Sequence, residues 1–162
     1  MAVTVRRVVT GVDSAGRSRL ISDGVPGRSI DLANYPGVLV EQVWGTDRPQ
    51  LDQRGLEDGS ATGLYPPAAG TRFLRTTYPP GFGTAASDAA DAPPVRRLLM
   101  HRSDTVDFGI VLEGELTLLL EDGSETVLRA GDVVVQNGVM HGWRNAGTAT
   151  AVVVFVLVGQ VP

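Results

Sequence analysis

The chain contains no cysteine. Disulfides, thiol nucleophiles, iron–sulfur clusters and zinc–thiolate sites are therefore excluded. It contains no lysine either, since all 14 basic residues are arginine. Schiff-base chemistry, including a pyridoxal-phosphate anchor, is excluded with it. A basic excess is also missing: the net charge is −4 and the pI near 5.1, which argues against nucleic acid or an anionic membrane as the main partner. Long hydrophobic runs are short of a membrane span. The longest, Ala149 to Val158 broken at Thr150, is about half of one. It is rich in valine and bounded by Gly147 and Gly159, so it reads as a buried strand. Met1 to Arg7 is not followed by a signal-type apolar run, so secretion is not expected. Together with the lack of cysteine this suggests the cytoplasm.

What remains is a chain of 162 residues, 43% hydrophobic and 20% charged, a size at which a single core folds unaided. No segment shows a helical period and no long repeat is evident. Arg6–Thr10 and Ser18–Ser22 flank a turn at Asp13-Ser14-Ala15-Gly16 and read as a hairpin. Asp23 to Gly37 reads as a loop with at most a short turn of helix. Val38–Trp44 is a strand, Gly45 to Gly70 a long connection, and Thr71–Tyr78 another strand.

After an Ala/Asp/Pro-rich stretch, short strands follow one another with brief turns. They are expected at 97–102, 108–112, 115–120, 126–128, 132–136, 142–145 and 150–158, with Asp122-Gly123 at the centre of a tight hairpin. Gly81-Phe82-Gly83-Thr84-Ala85-Ala86 formally matches a dinucleotide glycine pattern. Prolines before and after it leave no strand–turn–helix context, so no dinucleotide cofactor is expected. The class is all-β and mainly antiparallel, a sandwich or barrel.

The two histidines, His101 and His141, both fall between Met100 and Gly147. Alternate residues of a strand share a face. His101 and Ser103 therefore point one way, with Asp107 able to reach the same side, and His141, Trp143 and Asn145 share a face by the same rule. If the two segments meet across a barrel, His101, Asp107 and His141 converge inside it. Two imidazoles and a carboxylate form the facial set used by non-haem Fe(II), and Mn, Ni or Zn can occupy it too. Ser103, Trp143 and Asn145 are the candidate substrate-pocket residues beside it. Arg72 and Arg75 differ in parity and are expected to face solvent.

The spacing resembles that of the cupins. Their first motif has two histidines one residue apart, a glutamate and a closing glycine. His101 stands at the first histidine, Asp107 at the glutamate and Gly114 at the glycine. Their second motif is matched by Gly131, Gly138, His141 and Asn145. Three departures stand out: Ser103 replaces the second histidine, Asp107 replaces glutamate, and the second motif is one residue short and lacks its proline. The resemblance covers Met100 to Gly147 and is only suggestive before that.

It implies an antiparallel double-stranded β-helix (a jelly-roll barrel) with an N-terminal hairpin extension. Residues 1–94 would contribute strands and loops, residues 95–162 would form the barrel core, and both would make one structural domain. It also implies a small-molecule substrate, one divalent metal ion (Fe, Mn, Ni or Zn) on His101, Asp107 and His141, and a homodimer. With the second histidine replaced, two states of the site stay open: a metal with extra room for water or substrate, or a metal-free pocket in which the same three residues act as acid–base groups. Three functions follow: a lyase, dehydratase or isomerase, an Fe(II) dioxygenase, or a binding module that holds its ligand without turnover.

Overall fold

A computed structural model describes residues 5–48, 63–84 and 99–161, and every structural statement below refers to these. Eleven strands run in chain order: β1 (Arg7–Val12), β2 (Ser18–Gly24), β3 (Ser29–Asp31), β4 (Leu39–Thr46), β5 (Thr71–Tyr78), β6 (Thr105–Glu113), β7 (Glu115–Leu120), β8 (Glu125–Arg129), β9 (Val133–Asn137), β10 (His141–Arg144) and β11 (Ala151–Gly159). All pairings are antiparallel. β1 and β2 form the expected separate hairpin, a six-stranded sheet has the order β3-β4-β5-β11-β6-β9, and a three-stranded sheet has the order β10-β7-β8. The fold is the all-β double-sheet architecture expected. The larger sheet joins both halves of the chain, the earlier block β3-β4-β5 meeting the later block β11-β6-β9 where β5 pairs with β11.

The core follows from strand alternation. On the inner face of the six-stranded sheet, side chains line up in rows across the ladders. Val40, Thr76, Val153 and Val111 form one row, and Leu74, Phe155, Gly109 and Val134 the next. A third row runs Arg72, Leu157, Asp107, Gln136. Opposite them, the smaller sheet contributes the buried Leu116, Leu128 and Trp143. Two rows are almost wholly apolar, whereas the third ends in a carboxyl and an amide. That contrast positions the site.

The glycines at the motif positions have backbone reasons. Gly114, between β6 and β7, has φ +69°, and a Cβ there would lie 2.5 Å from the Thr150 carbonyl oxygen. Gly131 and Gly138 have φ +94° and +62°. These conformations are close to strain-free only for glycine.

Four expectations need correction. Asp23 to Gly37 is not purely loop, because its residues 29–31 pair with β4 as an edge strand. Such a short strand carries no periodicity of its own and exists through its partner. No named strand covers 99–102. His101 makes only an isolated bridge to His141, while residues 97 and 98 lie outside the described residues, as do Ala85 and Ala86 of the glycine pattern.

Arg72 and Arg75, expected in solvent, are both buried, at 0% and 6% exposure. Arg72 donates to Asp47 and to the carbonyls of Thr46, Thr71 and Gly63. It thus ties both ends of the long β4–β5 connection to the sheet. Arg75 pairs with Glu41, its neighbour across the β4–β5 ladder. Buried charges persist only when paired in this way.

Gly114→Ala is expected to destabilise the protein by about 1–3 kcal/mol, since it adds both left-handed strain and a clash with backbone. Denaturant unfolding of the variant beside Gly131→Ala, where φ is positive but the space is open, checks this. Gly114→Ala should be the worse of the two.

Candidate functional site

The site is built on one backbone pairing. The His101 N–H donates to the His141 carbonyl at 2.7 Å, and the His141 N–H donates back to the His101 carbonyl at 2.9 Å. This doubly bonded antiparallel pair sets the two residues directly opposite each other, with imidazole centroids 4.3 Å apart. Nδ1 of His101 lies 3.2 Å from the Leu99 carbonyl, and Nδ1 of His141 lies 2.8 Å from the Val139 carbonyl. A carbonyl only accepts, so each contact calls for Nδ1–H and leaves Nε2 as the lone-pair nitrogen. Backbone anchoring of the far nitrogen is also how metal-binding histidines are oriented.

Both imidazoles line a cavity of about 100 Å³. A water needs roughly 10–15 Å³ on this scale, so the space exceeds that of one ion and one water. Its wall is mostly apolar and aromatic. It includes Tyr35, Leu74, Tyr78, Phe82, Phe155 and Leu157, together with Trp143. Phe82 packs on Tyr35 and Tyr78 with centroids 6.0 and 5.4 Å away, and Trp143 packs on His141 and Phe155 at 6.0 and 5.6 Å. Burial raises the Tyr78 phenol far above its usual range. Tyr65, 43% exposed, stands among the lining residues.

Asp107 and Gln136 supply the polar part of the larger sheet's wall. Asp107 is buried, and its Oδ1 has no hydrogen-bond partner. Burial raises its pKa, while the Thr105 hydroxyl and the His101 imidazole hold it down. Burial likewise lowers His141 to about 4, opposed by its bond to Val139 and reinforced by His101. Burial thus favours the neutral form of both the carboxyl and the imidazole in this lining.

The structure thus brings His101, His141, Asp107 and Trp143 to one cavity. Ser103 and Asn145, expected in the substrate pocket, are not among its lining residues. Ser103 Oγ is bonded to Thr105 Oγ1 at 2.7 Å and reaches the site only through Thr105, which supports Asp107. Asn145 is fully buried. Its amide donates to the Tyr78 and Ala149 carbonyls and accepts from the Gly147 N–H. Both N–H donors and one acceptor site of its amide are thus taken, by the end of β5 and by the turn before β11.

Gln136 was not among the expected residues. Its signal is a polar residue at inward parity directly after three valines in β9. The aromatic residues from the N-terminal half, Tyr35, Tyr78 and Phe82, had no sequence signal beyond being aromatic.

The metal fit can be judged from these groups. Two imidazoles with Nε2 available and a buried carboxylate oxygen without a partner are the donor chemistry of a divalent-ion site. No three His, Asp or Glu side chains are gathered as a ready-made cluster among the described residues. The paired histidines are the preformed part, and Asp107 faces the same space.

Comparison with known proteins agrees with the fold. A cupin-domain family model matches residues 91–157. The chain is 30% identical over 161 residues to fogC of Aspergillus ruber, described as a cupin-domain-containing oxidoreductase, and the match covers 94% of this chain and 71% of that protein. It is 42% identical over 94 residues to phomopsin biosynthesis cluster protein C' of Diaporthe leptostromiformis, covering 56% of this chain. The chain matches about half (49%) of that relative's length. Among solved structures, the cupin domain of Schizosaccharomyces pombe Cnp3 superposes with a TM-score of 0.52 at 9% identity, over 96% of this chain and 88% of that one. This chain belongs to the cupin family.

The depressed His141 has a consequence for pH. Its folded pKa, about 4, lies below the roughly 6.5 of an unfolded histidine, so the unfolded state takes up the proton first. The stability it contributes is complete above pH 6.5 and is lost as pH falls toward 4. Between pH 7 and 5 the loss amounts to about 2 kcal/mol. In chelator-treated protein, His141 should show no NMR titration midpoint above pH 5. Unfolding measured at both pH values should be less pH-dependent in His141→Gln by about that amount. An ordinary midpoint near 6.5 would contradict the burial argument.

Proposed function

We propose that this protein is a cytoplasmic, metal-dependent cupin enzyme that acts on a small, largely apolar molecule held in the barrel cavity. Lyase, dehydratase or isomerase chemistry suits its residues best. The observation that carries this reading is the concentration of proton-handling groups, His101, His141 and Asp107, in the lining of an otherwise aromatic cavity. The apolar wall desolvates the substrate and strengthens each polar contact. Asp107, raised by burial, can deliver or receive a proton at its free Oδ1. His141, neutral and fixed by Val139, can accept one at Nε2 while no ion is bound there; with an ion on Nε2, proton transfer falls to a carboxyl oxygen of Asp107 that the ion leaves free. Trp143 and Phe82 orient the substrate and keep water out.

A divalent ion, Fe, Mn, Ni or Zn, would be held by His101, His141 and Asp107. When bound it would supply Lewis-acid polarisation or, if redox-active, oxidation chemistry. The second of these is the alternative reading, favoured by the description of fogC of Aspergillus ruber as an oxidoreductase. A cupin that binds its ligand without turnover is the third possibility, consistent with Ser103 at the place of a histidine.

Metal content decides first. After incubation with Fe(II) or Zn(II) and removal of free ion, wild-type protein should hold about one ion per chain, and His141→Ala or His101→Ala less than about a tenth of that. Wild-type protein that stays metal-free under these conditions sinks the metal-dependent reading. It leaves the three residues as an acid–base or binding pocket.

We also infer a homodimer. The outer face of the larger sheet carries Phe73, Val156, Phe108 and Val135 in one row and Val154, Ile110 and Val133 beside them. Phe108, Ile110, Val133 and Val135 are 45–70% exposed, a contiguous apolar surface of the kind monomers avoid. Light scattering should give twice the chain mass for wild type and the chain mass for Phe108→Asp/Val135→Asp. A monomeric wild type would refute the assembly.

A further inference from the structure

Gln136 has both ends of its side-chain amide, Oε1 and Nε2, without a hydrogen-bond partner, although the residue is only 3% exposed. Exchanging the oxygen and nitrogen would not change this, because neither is bonded. Buried polar groups in folded proteins are nearly always paired within the protein or with something bound to it. Gln136 also sits where an apolar side chain would be easily accommodated: Val134 precedes it on the inner face of β9, and Leu157 lies in its row. β9 is the last strand of its sheet, so no further strand offers the amide a partner. It lines the cavity instead.

Asp107 is its register partner across the β6–β9 ladder, and directly opposed side chains lie within about 4.5–5.5 Å at Cβ. Asp107 Oδ1 is also without a partner. Two adjacent residues therefore present an N–H donor, an amide oxygen and a carboxyl oxygen, with aromatic surface elsewhere around the space.

We propose that Gln136 is the substrate-reading residue of the cavity, and that the molecule it reads carries a neutral amide or lactam edge on an apolar, planar body. An amide offers a carbonyl and an N–H side by side. The carbonyl accepts from Gln136 Nε2, while the N–H donates to Gln136 Oε1 or Asp107 Oδ1. A carboxylate has acceptor oxygens only and would leave Gln136 Oε1 without a donor, so the amide edge, which carries both groups, is selected. The aromatic wall of Tyr35, Phe82, Trp143 and Phe155 takes the planar body. This assignment rests on the reading of the cavity as the substrate site.

Benzamide and isopropylbenzene are the probes, close in size and differing in the polar edge. Calorimetric titration of wild type should show benzamide binding at least about tenfold tighter, as expected for two buried hydrogen bonds. Gln136→Met, similar in volume and apolar, should weaken benzamide about tenfold or more and leave isopropylbenzene within about twofold. Gln136→Glu keeps the shape and removes the N–H donors. It should also lose the preference, which guards against misfolding of the first variant; retained preference in either folded variant overturns the proposal. Metal content measured in parallel should be unchanged by Gln136→Met. Loss of metal would make Gln136 a ligand rather than a reader and overturn the proposal as well. If isopropylbenzene binds wild type and benzamide gains nothing, the role of Gln136 fails while the cavity stands as a binding site. If neither binds, the reading of the cavity fails with it.

Discussion

Two backbone hydrogen bonds, exchanged between His101 and His141, are the constraint on which the site depends. They join a segment that belongs to no strand to the first residue of β10. β10 is in turn held in the smaller sheet by its ladder to β7, where His141 faces Leu120. Side-chain direction follows from that pairing. With the residues directly opposed, both imidazoles must project to the same side, and the carbonyls of Leu99 and Val139 then fix their rings. A one-residue slip in this bridge would turn one ring out of the cavity. The surrounding structure is arranged against such a slip: Gly142 leaves room for the Leu99 backbone, which a Cβ there would meet at 3.0 Å.

The rest of the wall is a matter of where polarity is tolerated. The inner face of the six-stranded sheet is almost wholly apolar in two rows; the third has the ion-paired Arg72 at one end and Asp107 and Gln136 at the other. A carboxyl with one oxygen unpartnered and an amide with neither end bonded, on adjacent strands, weaken a core. That they lie together, and beside the only two histidines of the chain, is why the cavity reads as a place where something is bound rather than as imperfect packing. The same low polarity raises Asp107 and lowers His141, favouring the neutral form of each.

Much of this was legible in the residues because short antiparallel strands carry their own signals. β5 and β7 begin and end where their alternation does, and Gly114, Gly131 and Gly138 mark left-handed turns that few other residues could make. Alternation within β6 turns Asp107 inward, while His101, outside any named strand, is set beside His141 by their bridge. What could not be read is what parity does not decide. Asn145 shares a face with His141 and Trp143 in a regular strand, yet β10 ends at Arg144, and beyond it the amide is taken by Tyr78, Ala149 and Gly147. Arg72 and Arg75 are buried because Asp47 and Glu41 meet them, and those partners are 25 and 34 residues away in the chain.

The N-terminal half shows most clearly why the motif alone is an incomplete description. The matched family region begins near residue 91, but Tyr35, Val38, Leu74, Tyr78 and Phe82 all lie earlier and all line the cavity. They arrive there because β4 and β5 enter the same sheet as β11 and β6, and because Phe82 is held by the Asn145 N–H donating to its carbonyl. The later half thus supplies the imidazoles, the carboxyl and the Gln136 amide of the lining, and the earlier half much of its aromatic and aliphatic surface. Asn145 gains a meaning here that its spacing did not suggest. By binding the carbonyls of Tyr78 and Phe82 through its side chain and backbone, it couples the aromatic wall to the strand that carries His141. A change at Asn145 would therefore reach the site by displacing its aromatic wall and not by removing a contact to the substrate.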